Sequence, residues 1–438
     1  MDFVPVDTVW VIVAGCLVLL MQAGFAALEM GLSRMKHSGA VAAKIIVNFA
    51  LALVVFWAVG YAIAFGDGNG FAGATAWFLE IGNANGVESL AYSGIDEATK
   101  FFFQAMFAAV ALAIVWGTML DRARFVTYVP FAILFVGLIY PIVAHWVWGG
   151  GWLYGNGFQD FAGSGVVHVT GAFAGLAGAI VVGARIGKYR DGKPQPIPGH
   201  SMPLAILGVL ILWVGWMGFN AGSFLGAAGK PIGQVVVVTC LAGAFGVLAS
   251  VVMGRVLLGS FDIGMMGNGA IAGLGAIAGP CAFVQPWAGA VIGLIAGSVM
   301  VPMVIFIDRR RIDDPIGVFA GHGMGGIVGV LAAGIFTTSE AASRLGGRPG
   351  LLYGGGFTQL GWQFVGLVAI AAFAFGTGWL AFMLIKVTIG LRAPEADELA
   401  GLDISEHGMF GYPERFIEVI GAEPEEPVSG VEDALTAR

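Results

Sequence analysis

Residues 160–183 read DFAGSGVVHVTGAFAGLAGAIVVG, and residues 314–336 read DPIGVFAGHGMGGIVGVLAAGIF. Each stretch opens on an aspartate, places a histidine eight residues later and then runs on in small and apolar residues. A helix needs about 20 such residues to cross the hydrocarbon core of a bilayer. An ionisable side chain inside a span is costly and normally faces a bundle interior or a pore. Asp160 and His168 in one stretch, and Asp314 and His322 in the other, therefore read as two matched pairs. A lone histidine would more readily be a packing residue bonded to a neighbouring carbonyl, but the repeated spacing favours function. Neutral imidazoles can donate and accept hydrogen bonds in series. The aspartates fall at the starts of their helices, where a carboxylate accepts backbone N–H groups and suits the helix dipole.

The rest of the chain has the same character. Of 438 residues 58% are hydrophobic and 11% charged, whereas soluble domains carry about 25% charged residues. Eleven apolar stretches follow one another, at about 8–32, 41–65, 100–119, 125–148, 162–186, 203–226, 232–258, 264–283, 287–307, 314–336 and 357–391. A transmembrane barrel would alternate apolar and polar residues, and Val235–Ala249 and Phe364–Leu384 do not. The expected fold is an all-α polytopic membrane protein with eleven transmembrane helices. The 71 glycines read as close helix packing, because small residues let backbones approach in lipid. Cys16, Cys240 and Cys281 lie in apolar stretches without metal-ligand spacing, and are expected to be buried thiols, with no disulfide and no metal site. The N-terminus lacks the basic region of a cleaved signal peptide, so Val9–Leu32 is expected to remain as a span.

Lysines and arginines set the orientation. Seventeen of them, including Arg34, Lys36, Lys44, Arg122, Arg124, Arg185, Arg309–Arg311, Lys386, Arg392, Arg415 and Arg438, fall on one side, and only Lys100, Lys230, Arg344 and Arg348 on the other. The N-terminus is then outside and the C-terminus cytoplasmic, which demands an odd number of spans. The two Asp–His stretches start spans five and ten, so spans one to five (about 8–186) and six to ten (about 203–336) form an inverted five-helix repeat. The helix at 357–391 is one extra, closing a membrane domain of residues 1–391. Inverted repeats bring functional residues together near the midplane. Residues 392–438 form an acidic cytoplasmic tail too short for a domain of its own, which typically needs about 50 residues.

Aromatic residues gather at the presumed outer ends of the spans: Phe103 and Phe107 in KFFFQAMFAAV, Trp148 in AHWVWGGGW, and Trp216 and Phe219 in GWMGFNAGS. Such rings anchor spans at the interface, and their faces also bind small cations. GHGMGG at 321–326 lacks the order of a phosphate-binding loop and has no strand before it. No nucleophile elbow, HExxH or dinucleotide fingerprint occurs in the right context. Membrane enzyme chemistry through the Asp and His residues is disfavoured for want of a nucleophile set, and nothing in the charge pattern calls for nucleic acid.

The strings MQAGFAALEMGLSR (21–34), AHWVWGGGW (144–152), DFAGSGVVH (160–168), GWMGFNAGS (215–223), DDPIGVFAGHGMGGIVG (313–329) and GLDISEHG (401–408) resemble the signature segments of the Amt branch of the Amt/Mep/Rh ammonium transporter family. The resemblance implies an eleven-helix homotrimer with one pore per subunit, embedded in lipid, needing no cofactor. It implies an outer site for ammonium, or its analogue methylammonium, at Phe107, Trp148 and Ser223. It implies a gate of stacked rings at Phe107 and Phe219, pore-lining twin histidines at His168 and His322, and Asp160 as the acidic residue near the outer site; Asp314, read above as a helix cap, is the second supporting acidic residue. The stretch Gly401–Tyr412 resembles the family tail that can dock a PII-type signalling protein. Where many members carry FYGG in span one, this chain has Leu28–Gly31, and Glu29 resembles a subset with an LE motif. The function implied is conduction of ammonia, with or without its proton. The alternative is an ammonium sensor of the same fold with little transport.

Overall fold

A computed structural model describes residues 4–80 and 87–412. The acidic end of the tail, with Arg415 and Arg438, and part of the 82–94 loop lie outside the described residues. The described chain is mostly helical. Ten helices are long and apolar enough to cross a membrane: α1 Val4–Leu32, α2 Met35–Phe65, α3 Glu97–Gly117, α4 Phe125–Gly155 (broken by a turn at 148–151), α5 Ser164–Val182, α6 Met202–Gly222, α7 Ile232–Leu258, α9 Pro286–Arg309, α10 Phe319–Phe336 and α11 Gly356–Thr388. Between α7 and α9 lies a shorter apolar helix, α8, Ile263–Ala278. An α-helix rises 1.5 Å per residue, so the 16 residues of α8 span about 24 Å, and turns follow at 279–283.

The helices pack in matching sets. α1 lies along α6. The contacts of α1 with α3, α3 with α5 and α2 with α4 have counterparts in α6 with α8, α8 with α10 and α7 with α9. Glycine makes the α1–α6 seam possible. A Cβ at Gly208 would overlap the backbone nitrogen of Leu28, and one at Gly31 would overlap the backbone of Ala205. Backbones in direct contact gain dispersion that larger side chains would forbid.

Two sequence expectations change here. Cys281 is buried, but Cys16 and Cys240 are exposed on the outward sides of α1 and α7. A bundle that faces lipid is as apolar outside as inside, so an apolar context does not imply burial. Lys44, assigned to the cytoplasmic set of charges, is fully buried on α2 and paired with the equally buried Glu29 of α1.

Beyond the bundle, a small hairpin of Tyr189–Arg190 with Lys193–Pro194 interrupts the α5–α6 connection. The tail turns back under the helices as two short helices, Glu395–Ala400 and Leu402–His407. Arg185 meets Asp313 through Nε (2.9 Å) and Nη2 (3.0 Å), and reaches Asp121 at 3.4 Å. Asp121 in turn accepts from Arg34 Nε at 2.9 Å. This ionic cluster ties together the α1–α2, α3–α4, α5–α6 and α9–α10 connections.

Candidate functional site: an aromatic and imidazole column between two cavities

The local structure around each histidine follows from a glycine that the spacing alone does not single out. Gly163 and Gly317 each stand three residues after the aspartate and adopt positive φ, 110° and 73°, which side chains other than glycine rarely allow. This left-handed step folds the carboxylate back over the start of the helix. Asp160 accepts hydrogen bonds from the backbone N–H groups of Gly163 (3.1 Å), Gly165 (2.9 Å) and Val166 (2.9 Å). Asp314 accepts one from Phe319 at 2.8 Å. Both helices then begin with a π-turn, Ser164–Val169 and Phe319–Gly323, before becoming regular. A π-turn offsets the side chains that follow and is frequent at functional sites. His168 and His322 lie within these π-turns.

At one end of the bundle a cavity of about 420 Å³ is lined by Gln104, Phe107, Trp148, Asp160, Ser223 and neighbours. Trp148 Nε1 donates to the backbone carbonyl of Asp160 at 2.7 Å, and Ser223 Oγ donates to the carbonyl of Phe219 at 2.8 Å. Asp160 thus works from both ends: its carbonyl fixes the indole, and its carboxylate closes the head of α5. Removing the carboxylate leaves three buried N–H groups unpaired at about 1–3 kcal/mol each. Asp160→Ala is therefore expected to lower the thermal midpoint of the detergent-solubilised protein well below that of Asp160→Asn, whose remaining oxygen can still accept. Equal midpoints for both variants and the wild type would show that the capping is dispensable.

Beneath the cavity Phe107 stacks on Phe219, with centroids 4.0 Å apart and planes at 18°. Both rings are almost fully buried, at 1% and 0% exposure, so they close the column. His168 follows at 5.7 Å from Phe219, and Trp216 stacks beside it at 5.4 Å. Its Nδ1 lies 3.2 Å from His322 Nδ1, and the two imidazoles are near-parallel at 18°. Phe25 of α1 flanks His322 at 5.9 Å. A second cavity of about 390 Å³ then opens, lined by Asn268, Asp314, Gly317, Ala320 and Arg185 among others.

The Nδ1–Nδ1 contact has a chemical consequence. Two neutral imidazoles at that distance share one proton, so one ring donates and the other accepts. The Nε2 of the donor is then a bare lone pair, and the Nε2 of the acceptor carries a hydrogen. His168 Nε2 is buried and has no partner among the described residues. Such a pair offers a passing small molecule one acceptor and one donor in sequence.

Phe107, Trp148, Ser223 and Asp160 come together at the first cavity, with Phe219, His168 and His322 in line below. Asp314 is remote from that group, at the second cavity. Trp216, grouped from sequence with the outer rings, sits instead at the level of the histidines. Sequence reasoning missed Phe25, which stands in the quoted string MQAGFAALEMGLSR with only its aromatic character as a signal, and the two glycines, which the repeated D-x2-G-x4-H pattern could have disclosed.

A bundle of apolar helices with aromatic and ionisable side chains along its interior defines a multi-pass membrane protein of the transport class. The chain belongs to the ammonium transporter family: residues 9–412 match the family described as Ammonium Transporter Family. It is similar to ammonium transporter Amt2 of Archaeoglobus fulgidus, 42% identical over 93% of this chain and 88% of that protein. Amt1 of Haloferax mediterranei is 38% identical over 93% and 80%. Among solved structures it resembles a sensor Amt protein (TM-score 0.85, 34% identity, 92% of this chain and 99% of that one). It also resembles Mep2 of Saccharomyces cerevisiae (TM-score 0.84, 29% identity, 96% and 94%).

Proposed function

We propose that the protein conducts ammonium nitrogen across the membrane along this column, without catalysing a chemical transformation of it. The observation that carries the reading is the buried sequence Phe107/Phe219, His168, His322 between two cavities. Ammonium resembles potassium in size and charge but can lose a proton. Phe107, Trp148 and Ser223 present ring faces and a hydroxyl oxygen, a set suited to attracting a small cation. Behind them the buried rings make a charge costly, so deprotonation eases entry. The imidazole pair then gives the neutral molecule hydrogen bonds that potassium cannot use. Phe107 and Phe219 act as the gate, His168 and His322 line the pore, and Asp160 and Asp314 hold the two helix heads in place.

In this reading α8 crosses the membrane with the other ten helices, making eleven. The paired helix contacts and the two Asp–Gly–His heads support the inverted five-helix repeat. The basic asymmetry supports an outer N-terminus and a cytoplasmic tail. A homotrimer with one pore per subunit and a PII-type partner at the tail complete the proposal. The likeness to a sensor Amt protein keeps one second reading, a sensor with little flux.

The test is uptake of labelled methylammonium by cells that lack their own carriers. Saturable uptake well above that of vector-only cells is expected. Uptake at the vector level, with the protein present in the membrane, would sink conduction and leave the sensor.

A further inference from the structure

The tail is seated on the start of α2 by contacts that fix the protonation state of one histidine. His37, at 0% exposure, closes the turn before the regular part of that helix. The backbone N–H of Leu402 donates to His37 Nδ1 at 3.1 Å. An imidazole nitrogen that accepts must be unprotonated, so the bond exists only while His37 is neutral. Next to it the carboxylate of Asp403 accepts from Gly39 (3.0 Å), Ala40 (2.8 Å) and Gly411 (3.1 Å). Those bonds anchor Leu402–His407 to the head of the helix. A proton added at Nδ1 would set two donors against each other at the first contact of this segment.

The surroundings offer that proton a way in. His37, His407 and Asp121 line one cavity of about 10 Å³, about the least space that holds a single water. Each of the three has a buried polar atom, the two Nε2 atoms and Asp121 Oδ1, with no partner among the described residues. The charged and titratable groups around His37 are Arg34 and Lys36 from its own turn, Asp121 from the turn after α3, Tyr128 of α4, and Asp403, Glu406 and His407 from the tail. Cations and carboxylates are mixed, so a new charge on His37 meets both signs and the lost hydrogen bond sets the direction.

We propose that His37 makes docking of Leu402–His407 sensitive to pH on the tail's side of the membrane, the neutral ring holding the segment and the imidazolium releasing it. Only the identity of that side as cytoplasmic rests on the topology proposed above; conduction is not assumed. The linkage has a definite sign. The docked state disfavours the proton and the undocked state binds it with an ordinary midpoint near 6.5. Docking is therefore complete above that pH and weakens as pH falls through it. If the docked state excludes the proton, opening rises about tenfold between pH 7.5 and 5.5.

The experiment is amide hydrogen exchange on the purified full-length protein at those two pH values, corrected for intrinsic exchange and read at residues 402–407. Wild type is expected to open about tenfold more often at the lower pH. His37→Asn, which keeps an acceptor near Nδ1 but does not titrate, is expected to change less than twofold. A pH-independent wild type, or an equal change in both proteins, would overturn the proposal. Should His37→Asn fail to dock at either pH, histidine-15N NMR decides. The His37 ring must titrate lower in wild type than in Asp403→Ala, whose tail has lost its anchor, and equal midpoints would overturn it.

Discussion

Replacing His168 or His322 by alanine is expected to cut methylammonium flux about tenfold to a hundredfold and to erode discrimination against potassium. The magnitude follows from the geometry. Each ring supplies one hydrogen-bonding position in a buried column, and a lost or orphaned partner there costs about 1–3 kcal/mol, where 1.4 kcal/mol is a factor of ten. The 3.2 Å contact means that either deletion also strips the surviving Nδ1 of its mate. The two single variants should therefore be about as impaired as the double variant, since residues acting as a unit are far from additive. Initial uptake rates with and without excess potassium check this directly. Wild-type rates and wild-type selectivity in both single variants would remove the histidines from the conducting path.

A comparable effect on stability, with the aromatic and imidazole column untouched, is expected from Asp313→Ala. The carboxylate is 1% exposed and takes two hydrogen bonds from the Arg185 guanidinium and one from the Arg185 backbone at 2.8 Å. Arg122, itself buried, donates to the Asp313 carbonyl at 2.7 Å. Deleting one partner of such a pair strands a buried charge, which costs about 3–5 kcal/mol. Burial alone would raise the Asp313 carboxyl, yet Arg122 and Arg185 hold it well below the usual carboxylate range. Because its folded value is depressed, its contribution is complete above an unfolded value of about 3.9 and is lost as pH falls below that. Thermal midpoints of the detergent-solubilised wild type and variant should thus differ widely near neutral pH and converge in acid. A variant as stable as wild type at pH 7 would show that the cluster is ornamental.

How much of this could be read in advance varies with the physics involved. Apolar length fixed ten of the helices, because the demand for about 20 residues is imposed by lipid and not by tertiary context. It also took 264–283 as a full span, of which only Ile263–Ala278 is helix, the rest being turn. His168 and His322 were legible because a charge-capable side chain is rare inside a span and the Asp spacing repeats. Their contact through Nδ1 was not, because it depends on π-turns whose signal is a glycine among 71. Trp216 was misgrouped for a related reason: GWMGFNAGS places Trp216 and Phe219 three residues apart, one turn of helix, and a string does not say which ring lies deeper. Glu29 stood out as a departure from FYGG, but its partner Lys44 was counted as a loop charge, as the basic-residue rule weighs position in the chain and not pairing. The tail segment 401–412 was legible only as a likeness to the family tail, and its docking on His37 is a long-range contact that no local pattern encodes.

The glycine seam between α1 and α6 bears on how fast the passage can work. Two helices whose backbones touch at Gly31 and Gly208 have little room to slide past each other, so this wall behaves as a stiff beam. In the proposed function, admission past Phe107 and Phe219 is then a matter of two rings swinging about their own torsions within a fixed frame. Each passage becomes a brief local event, with no large machine to reset before the next molecule enters.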